Sequence, residues 1–198
     1  MNSENSHPLS VNPAWMLDLI KESASVVDQL KYQLPEIDAI CRKITEQLLA
    51  GNKLLTAGNG GSAAAALHLA EELTGKYHRA DRRALPAICL AADTTALTCI
   101  ANDWDFASVF SRQIEAYCKP GDVLVVFSSS GKSENLVRAC DTMKRLGGTA
   151  LALLGRGGGR VHEIADLSLV VNSNRTASIQ EAHEVILHLI LEYIERVV

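Results

Sequence analysis

The sequence predicts an α/β fold: a five-stranded parallel sheet flanked by helices in a three-layer sandwich, with an N-terminal helical extension. Short runs of Val, Ile and Leu alternate with stretches of helical periodicity after about residue 52. Continuously apolar strands are typical of parallel sheets that helices cover on both faces. The length of 198 residues suits one such domain together with the extension.

Two helices are predicted ahead of the first strand, over residues 13–33 and 35–50. Apolar residues recur in each at helical spacing, Pro35 fits the first turn of the second helix, and Gly51 fits its end. The sandwich does not need these helices, and an apolar stripe left exposed on them would be a liability in a monomer. We therefore expect them to pack against another subunit in a homo-oligomer.

The chain accordingly divides into three parts. Residues 1–12 are polar and predicted to be disordered, residues 13–51 are the predicted oligomerisation helices, and residues 52–198 form one α/β domain. The predicted strands cover residues 53–57, 85–91, 122–127, 149–154 and 167–171. The predicted helices of the domain end near residue 74, span 95–117, end near residue 146 and run from 178 to the last residue, with a glycine-rich loop after the fourth strand.

Composition and charge exclude several classes of partner. The net charge is −4 and no basic run is longer than Arg82-Arg83, so the basic stripe of a nucleic-acid-binding surface is missing. No apolar stretch reaches the roughly 18–20 residues that span a bilayer, and the first dozen residues lack the features of a signal peptide. Five scattered cysteines indicate reduced core thiols. We therefore expect a cytoplasmic protein that binds neither nucleic acid nor membranes.

Two loops at strand ends have the chemistry of phosphate sites. The first is GNGGS at residues 58–62, where glycines allow a ligand to approach the backbone and a helix begins with free N–H groups. The second is SSSGKS at residues 128–133, whose four hydroxyls and helix-terminal N–H groups form a donor cluster. Capping of the helix explains one serine but not four. In a parallel sheet both loops lie at the carboxyl edge, where ligands bind.

Two familiar nucleotide motifs were compared with these loops. A Walker A loop requires a glycine where Val126 stands, so that interpretation fails. The dinucleotide pattern is matched weakly by Gly58, Gly60 and Ala63, with Asp93 as the ribose-binding acid. A dinucleotide site would leave the serine loop unexplained, but this alternative remains open.

Residues capable of acid–base chemistry follow the first loop and recur near the end of the chain. His68 and Glu72 are one helical turn apart and project from the same face. The last predicted helix carries Gln180, Glu181, His183 and His188. The remaining histidines, His7, His78 and His162, together with His183, are expected to be solvated or hydrogen bonded without a functional role.

At this point the sequence resembles a known family. GNGGSAAAALHLAEELTGKY (58–77), IANDWDF (100–106), SSSGKS, GRGGG (155–159) and SIQEAHEVILHLI (178–190) together are similar to the phosphoheptose isomerases, a branch of the flavodoxin-like sugar isomerase (SIS) fold. The resemblance covers the chain from about residue 36 to its end. It implies conversion of sedoheptulose 7-phosphate to D-glycero-D-manno-heptose 7-phosphate, the first step of nucleotide-heptose synthesis for lipopolysaccharide core, and a tetramer with sites at subunit interfaces.

The resemblance also implies roles for individual residues. Glu72 and His188 correspond to the catalytic acid–base pair. The metal ligands of a Zn²⁺ ion in some members correspond to His68, Glu72, Gln180 and His188. The substrate-binding residues correspond to Asn59, Gly60, Gly61, Ser62, Glu72, Asn102, Asp103, Ser128, Ser129, Ser130, Ser133 and Gln180.

Two points of chemistry accompany these assignments. The sequence departs from many members in the alanines at 63–65, which belong to a run of four, and in Lys76, which lacks the planar fork of the usual arginine. A glutamate that binds a metal is also a poorer base, so Glu72 in both roles is in tension. Gln180 and His188 would lie roughly 12 Å apart along a helix. Both reach one ion only at full stretch, with Gln180 outside the helix, or from different subunits.

Two rival functions belong to other classes. One is a non-catalytic SIS protein that binds a replication-initiation factor, a type that lacks the counterparts of Glu72 and His188. The other is an isomerase or sensor for a different phosphosugar, which the fold and the phosphate loops do not distinguish. Because both catalytic residues are present, the sequence favours the enzyme.

Overall fold

The computed structural model describes residues 12–198, and its centre is one fully parallel sheet of five strands. The spatial order of the strands is β2-β1-β3-β4-β5. Their bounds are β1 Leu54–Gly58, β2 Ala87–Cys89, β3 Val123–Ser128, β4 Thr149–Gly155 and β5 Leu167–Val171. This is the order of flavodoxin-like doubly wound sheets, and it confirms the predicted fold class.

Helices connect the strands and extend both ends of the described chain. Their bounds are α1 Ala14–Gln29, α2 Leu34–Leu49, α3 Gly61–Thr74, α4 Thr94–Asp103, α5 Ser111–Tyr117, α6 Glu134–Arg145, α7 Gly159–Ile164 and α8 Thr176–Val197. Short 3-10 turns cover Leu30–Gln33 and Phe106–Ser108. Among the described residues, no helix has the length and apolarity needed to cross a membrane.

Alternate residues of the strands face two separate cores. Val123, Val125 and Phe127 of β3 pack with α2, α3 and α8 on one face of the sheet. Leu124 and Val126 pack with α4, α5, α6 and α7 on the other face. All six residues of β3 are buried, as expected for a central strand covered on both sides.

The directions in which the chain leaves strands β1 and β3 determine where a crevice for a ligand forms. β1 is hydrogen bonded to both β2 and β3, so the chain leaves β1 toward one edge and returns on its other side at β3. The loops that follow β1 and β3 therefore diverge over opposite faces of the sheet, which opens the topological switch point where ligands bind in such folds. These two loops are the predicted phosphate loops.

The helix predicted over residues 95–117 is wrong as a single element. It begins with a capped turn, because the Asp93 carboxylate accepts hydrogen bonds from the backbone N–H groups of Thr95 and Ala96 at 2.9 and 3.0 Å. The helix then ends at Trp104, whose backbone leaves the helical region, and a 3-10 turn separates α4 from α5. Apolar periodicity continues across this break, so it concealed the boundary. The short α7 was also missed, inside the predicted glycine-rich loop.

The two leading helices differ in how much apolar surface they bury within the chain. α2 buries its apolar stripe against α8 and β5, so this helix belongs to the sandwich rather than lying outside it. α1 leaves Trp15, Met16, Leu17 and Ile20 exposed by 48–65%. Exposed apolar side chains of the extension are therefore concentrated on α1, with Leu34 and Leu49 of α2 also exposed, and oligomerisation through residues 13–51 stays a prediction.

Two smaller expectations complete the fold. All five cysteines are free, and three of them are buried, but Cys99 is exposed and Cys118 is half-buried, so core burial was wrong for those two. The predicted disorder of residues 1–12 lies outside the described residues, apart from Asn12. The side chain of Asn12 accepts a hydrogen bond from the N–H group of Ala14 at the start of α1.

Candidate active site

The two phosphate loops enclose one cavity of about 270 Å³. It lies between the start of α3 and the start of α6, and the first two turns of α8 close it. Eight of the predicted substrate-binding residues line it: Asn59, Gly61, Ser62, Ser128, Ser129, Ser130, Ser133 and Gln180. Phe127 and Thr176 complete the lining. Neither of these two was identified as a site residue in the sequence, because neither belongs to a phosphate-binding motif.

Glycines in the first loop are required by the backbone and by the space available. Gly60 precedes α3 with φ +57° and ψ −126°, a conformation that glycine adopts without strain. A Cβ atom on Gly61 would lie 2.6 Å from the Nε2 atom of Gln180, so a side chain there would displace that amide. The loop therefore brings Gln180 of α8 against the start of α3.

Hydroxyl groups in the serine loop are oriented by the loop's own backbone. The Ser128 Oγ atom accepts a hydrogen bond from the N–H group of Gly131 at 3.0 Å, and the Ser130 Oγ atom accepts one from Lys132 at 3.3 Å. A hydroxyl that accepts in this way still has its own proton to donate to a ligand. Ser133 is the N-cap residue of α6 but makes no side-chain capping hydrogen bond. Capping therefore does not occupy the hydroxyl of Ser133.

The serine loop also fits closely against the glycine-rich loop after β4. Gly131 has φ +60°, and a Cβ atom there would collide with the carbonyl oxygen of Gly158. The N–H group of Val161 donates to the carbonyl oxygen of Gly131 at 3.0 Å. The two loops are thus in direct backbone contact.

A pair of amide side chains joins the two phosphate loops. Asn59 and Asn135 exchange two hydrogen bonds of 2.9 Å through their side-chain amides. Asn135 lies in the first turn of α6 and is only 3% exposed. This arrangement fixes the spacing between the start of α3 and the start of α6, and the role of Asn135 was missed in the sequence.

The proposed acid–base residues cluster around His68. The His68 Nε2 atom lies 3.6 Å from the Oε1 atom of Glu72, and its Nδ1 atom lies 2.9 Å from the Oε2 atom of Glu184. The rings of His68 and His188 meet edge to face with centroids 5.3 Å apart. Glu72 and His188, from chain segments more than a hundred positions apart, therefore approach the same imidazole.

Glu184 also belongs to the cluster around His68, although it was not identified as a candidate in the sequence. It lies four residues after Gln180 and four before His188, so helical spacing places all three on one face of α8. The same spacing rule that singled out His68 and Glu72 would have found it.

The donor set around His68 fits a metal ion in part. Ligand atoms of His68, Glu184 and His188 lie within 4.8 Å of one another, and so do those of His68, Glu71 and Glu72. With Nδ1 donating to Glu184, the Nε2 lone pair of His68 faces the Glu72 carboxylate. Two electron-pair donors that face each other suit a cation between them.

Gln180 is placed differently from the other three predicted metal ligands. It lies inside α8, which excludes the arrangement in which it reaches the ion from outside the helix. Its side chain lines the phosphate cavity beside Gly61. Within one chain, Gln180 thus belongs to the phosphate end of α8 and His188 to the imidazole cluster.

Asn102 and Asp103 lie apart from the cavity. They end α4, where the Asn102 amide donates to the Asp103 carboxylate at 2.8 Å, and both are exposed. Neither is among the described residues that line the space between the two loops. The turn that follows does reach the first loop, because Phe106 and Ala107 line a neighbouring surface pocket together with Asn59.

The other described histidines make their contacts away from the cluster around His68. His183 is fully buried, its Nε2 atom lies 3.2 Å from the carbonyl oxygen of Leu154, and burial lowers its pKa from 6.5 to about 4. His78 pairs with Glu192 at 3.3 Å, and His162 contacts Ser168 at 2.6 Å. His7 lies outside the described residues.

Helices α3 and α8 each connect the phosphate cavity to the imidazole cluster. On α3, Ser62 lines the cavity and His68 lies six residues further along; on α8, Gln180 lines it and His188 lies eight residues further. At 1.5 Å per residue these spacings are roughly 9 and 12 Å along the helix axes. The cavity of the serine loop and the imidazole cluster therefore form two ends of one candidate site, separated by the length of a small extended molecule.

Fold and candidate site together are those of a SIS domain. The SIS domain family matches residues 19–155, which include both phosphate loops and His68 and Glu72.

Comparison with full-length relatives narrows this class. The chain is 46% identical over 82% of its length to a phosphoheptose isomerase of Campylobacter concisus, covering 85% of that protein. It is 42% identical over 91% of its length to one of Aquifex aeolicus, covering 94% of that protein. A solved phosphoheptose isomerase structure from Neisseria gonorrhoeae superimposes with a TM-score of 0.87 at 35% identity, covering 93% of this chain and 98% of that one. The chain therefore belongs to the phosphoheptose isomerases of the SIS-domain family.

Proposed function

We propose that this protein is an aldose–ketose isomerase that converts sedoheptulose 7-phosphate to D-glycero-D-manno-heptose 7-phosphate. The observation that carries the proposal is the two-ended site on α3 and α8. A phosphate held at C7 by the serine loop places the far end of an extended heptulose, with its C1 and C2 atoms, toward the cluster of Glu72, His68 and His188. The family to which the chain belongs is named for this class of activity.

The reaction moves one proton between carbon atoms and one between oxygen atoms. Glu72 acts as the base that removes a proton from C1 of the ketose and returns it to C2, by way of a cis-enediol. His188 acts on the oxygen side: it donates a proton to the O2 atom and takes up the proton that the O1 hydroxyl loses. His68 lies between them, 3.6 Å from the Glu72 carboxylate, and keeps both groups at the same end of the site.

A zinc ion is part of the proposal. His68, Glu72 and His188 would hold it, with Gln180 contributed at full stretch or by another subunit. When bound, zinc would supply Lewis-acid polarisation of the sugar oxygens. The carboxylate of Glu184, hydrogen bonded to the other nitrogen of His68, is the partner that metal-binding histidines usually have. Metal analysis of protein purified without chelators tests this: a zinc content near one per chain that is lost in His68→Ala supports the site, and metal-free active protein refutes it.

The assembly and cellular setting are proposed on separate grounds. Trp15, Met16, Leu17 and Ile20 on α1, and Leu67 and Leu189 beside the site on α3 and α8, are exposed apolar side chains. A second subunit would cover them, and we propose a homotetramer with its sites at subunit interfaces, acting in the cytoplasm at the first step of nucleotide-heptose synthesis for lipopolysaccharide. Light scattering that gives a monomeric mass at micromolar concentration would contradict the assembly.

The decisive experiment is incubation of the purified protein with sedoheptulose 7-phosphate in D₂O, followed by NMR. We expect signals of the aldose heptose 7-phosphate, with solvent deuterium at C2 where the carbon-bound proton exchanges. The Glu72→Gln variant is the matched control, since it keeps the size of the side chain but removes the base. No aldose from the parent protein, under conditions where it binds phosphate, would favour a sensor or non-catalytic SIS protein instead.

A further inference from the structure

One side of the phosphate cavity is formed by a residue outside the two phosphate motifs. Thr176 is the first residue of α8, and it lines the cavity together with Gln180. Among the described residues that line this cavity, none has a cationic side chain. A phosphate monoester is close to doubly charged at neutral pH, so neutral donors alone leave most of its charge without a counter-charge.

A guanidinium group holds the hydroxyl of Thr176. The Arg156 Nη2 atom lies 2.5 Å from the Oγ1 atom of Thr176, and its Nε atom donates to the carbonyl oxygen of Asn174 at 3.0 Å. Because an arginine nitrogen only donates, the Thr176 oxygen accepts this hydrogen bond, and its own proton is free for another acceptor. The geometry thus pairs a hydroxyl that lines the cavity with a positive charge directly behind it.

The backbone at Arg156 is strained in the conformation that makes this contact. Among residues 12–198, Arg156 is the one non-glycine residue with positive φ, at +48°. Its N–H group donates to the carbonyl oxygen of Ser173 at 3.3 Å, which joins the loop after β4 to the segment that leads into α8. Strained residues persist where the surroundings hold them, and they concentrate at ligand sites. A glycine at 156 would adopt this backbone more easily, so stability alone does not explain the arginine.

We propose that Thr176 is a phosphate-binding residue and that Arg156 is a positioning residue, which directs the Thr176 hydroxyl and brings positive charge to the phosphate. This inference rests on the proposed function, since it assigns further residues to the phosphate end of the same site. It predicts an effect on the affinity for phosphate and little effect on the chemistry at Glu72 and His188.

The test uses inorganic phosphate as the probe and the sugar phosphate as substrate. In Arg156→Gly, which removes the guanidinium and relieves the backbone strain, we expect the Kd for phosphate and the KM to rise by about tenfold, the range for losing a hydrogen bond with a charged partner, while kcat stays within about twofold. Thr176→Val should likewise raise the Kd for phosphate and the KM with little change in kcat. Thr176→Ser keeps the hydroxyl and should retain the affinity for phosphate. The affinity of Arg156→Lys for phosphate should lie between those of the parent and of Arg156→Gly, because lysine keeps the positive charge but lacks the planar fork of arginine.

A matched control lies one residue before Thr176. Arg175 is an exposed arginine that pairs with Glu22 at 3.5 Å, away from the cavity, so Arg175→Gln should leave both constants unchanged. Parent-like phosphate affinity and KM in Arg156→Gly would overturn this inference while leaving the isomerase intact, and so would a loss confined to kcat. A parent protein that neither binds phosphate nor isomerises the sugar would overturn the proposed function as well.

Discussion

The Nδ1 atom of His68 lies 2.9 Å from the Oε2 atom of Glu184, so a carboxylate on α8 orients an imidazole on α3. A carboxylate accepts, so this contact places the proton of the neutral ring on Nδ1 and points Nε2 toward Glu72. Orientation of the ring by a partner on the opposite nitrogen is a common feature of catalytic and metal-binding histidines.

Glu184→Ala should therefore lower kcat by about tenfold or more, with a small effect on KM, because the ring of His68 loses its fixed orientation while the phosphate end stays intact. Steady-state kinetics with the sugar phosphate measure both constants. Glu192→Gln is the matched control, since it removes a carboxylate–imidazole pair with His78 further along the same helix. Equal losses in the two variants would show that Glu184 acts only on the stability of α8.

Glu72→Gln should lower kcat by at least about a hundredfold, the usual contribution of a positioned base. The substitution keeps the shape of the side chain, so binding of inorganic phosphate by the serine loop should remain at the parent level. Titration calorimetry with phosphate and single-turnover kinetics measure the two properties separately. Activity within about tenfold of the parent would exclude Glu72 as the base.

Arg82 and Glu195 form a buried ion pair at the end of α3. Their side chains are 1% and 8% exposed, and Arg82 also donates to the carbonyl oxygens of Glu72 and Leu73 at 2.7 and 3.0 Å. Arg82→Leu should destabilise the protein by about 3 kcal/mol or more, because it leaves a buried carboxylate unpaired and removes the cap of α3. Urea unfolding measures this loss. Arg42→Leu, which breaks the exposed pair with Asp38, should cost less than about 1 kcal/mol.

The buried imidazole of His183 predicts a dependence of stability on pH. Burial lowers its pKa from 6.5 to about 4, so between these values the unfolded chain binds more protons than the folded one. Stability contributed by the neutral ring is therefore complete above pH 6.5 and decreases as the pH falls toward 4. From pH 7.5 to pH 5 the free energy of unfolding should fall by about 2 kcal/mol on this account.

Urea unfolding at these two pH values measures the loss, and His183→Leu serves as the comparison. The variant has no imidazole to protonate, so its own stability should fall by correspondingly less between pH 7.5 and pH 5. The same decrease in both proteins would assign the pH dependence to other groups.

The regular part of the fold could be predicted because its signals are local. Continuous apolar runs such as residues 123–127 identified the strands, and GNGGS and SSSGKS identified the two loops that the sheet brings together at the cavity. The break at Trp104 could not be predicted, because apolar periodicity continues through it and no glycine or proline marks the residue where the backbone leaves the helical region.

The site was predictable where one motif carried all the chemistry and not where two segments had to meet. Glu184 contacts His68, Asn135 contacts Asn59, and Thr176 contacts Arg156. In each pair the two residues come from different segments of the chain, so no single motif contains both. Sequence spacing placed Gln180 and His188 on one helix, but the cavity and the imidazole cluster divide them between two ends of the site.

The backbone contact between Gly131 and Gly158 has a consequence for how this site evolves. A side chain at Gly131 would collide with the carbonyl oxygen of Gly158, and one at Gly159 would collide with the carbonyl oxygens of Ser130 and Gly131, so neither the serine loop nor the loop after β4 tolerates such a change unless the other moves with it. Descendants with new substrates would be expected to inherit this pair of loops unaltered and to diverge instead at the far ends of α3 and α8. The geometry of the serine loop would then stay the same among these relatives, and the residues that contact the sugar would differ.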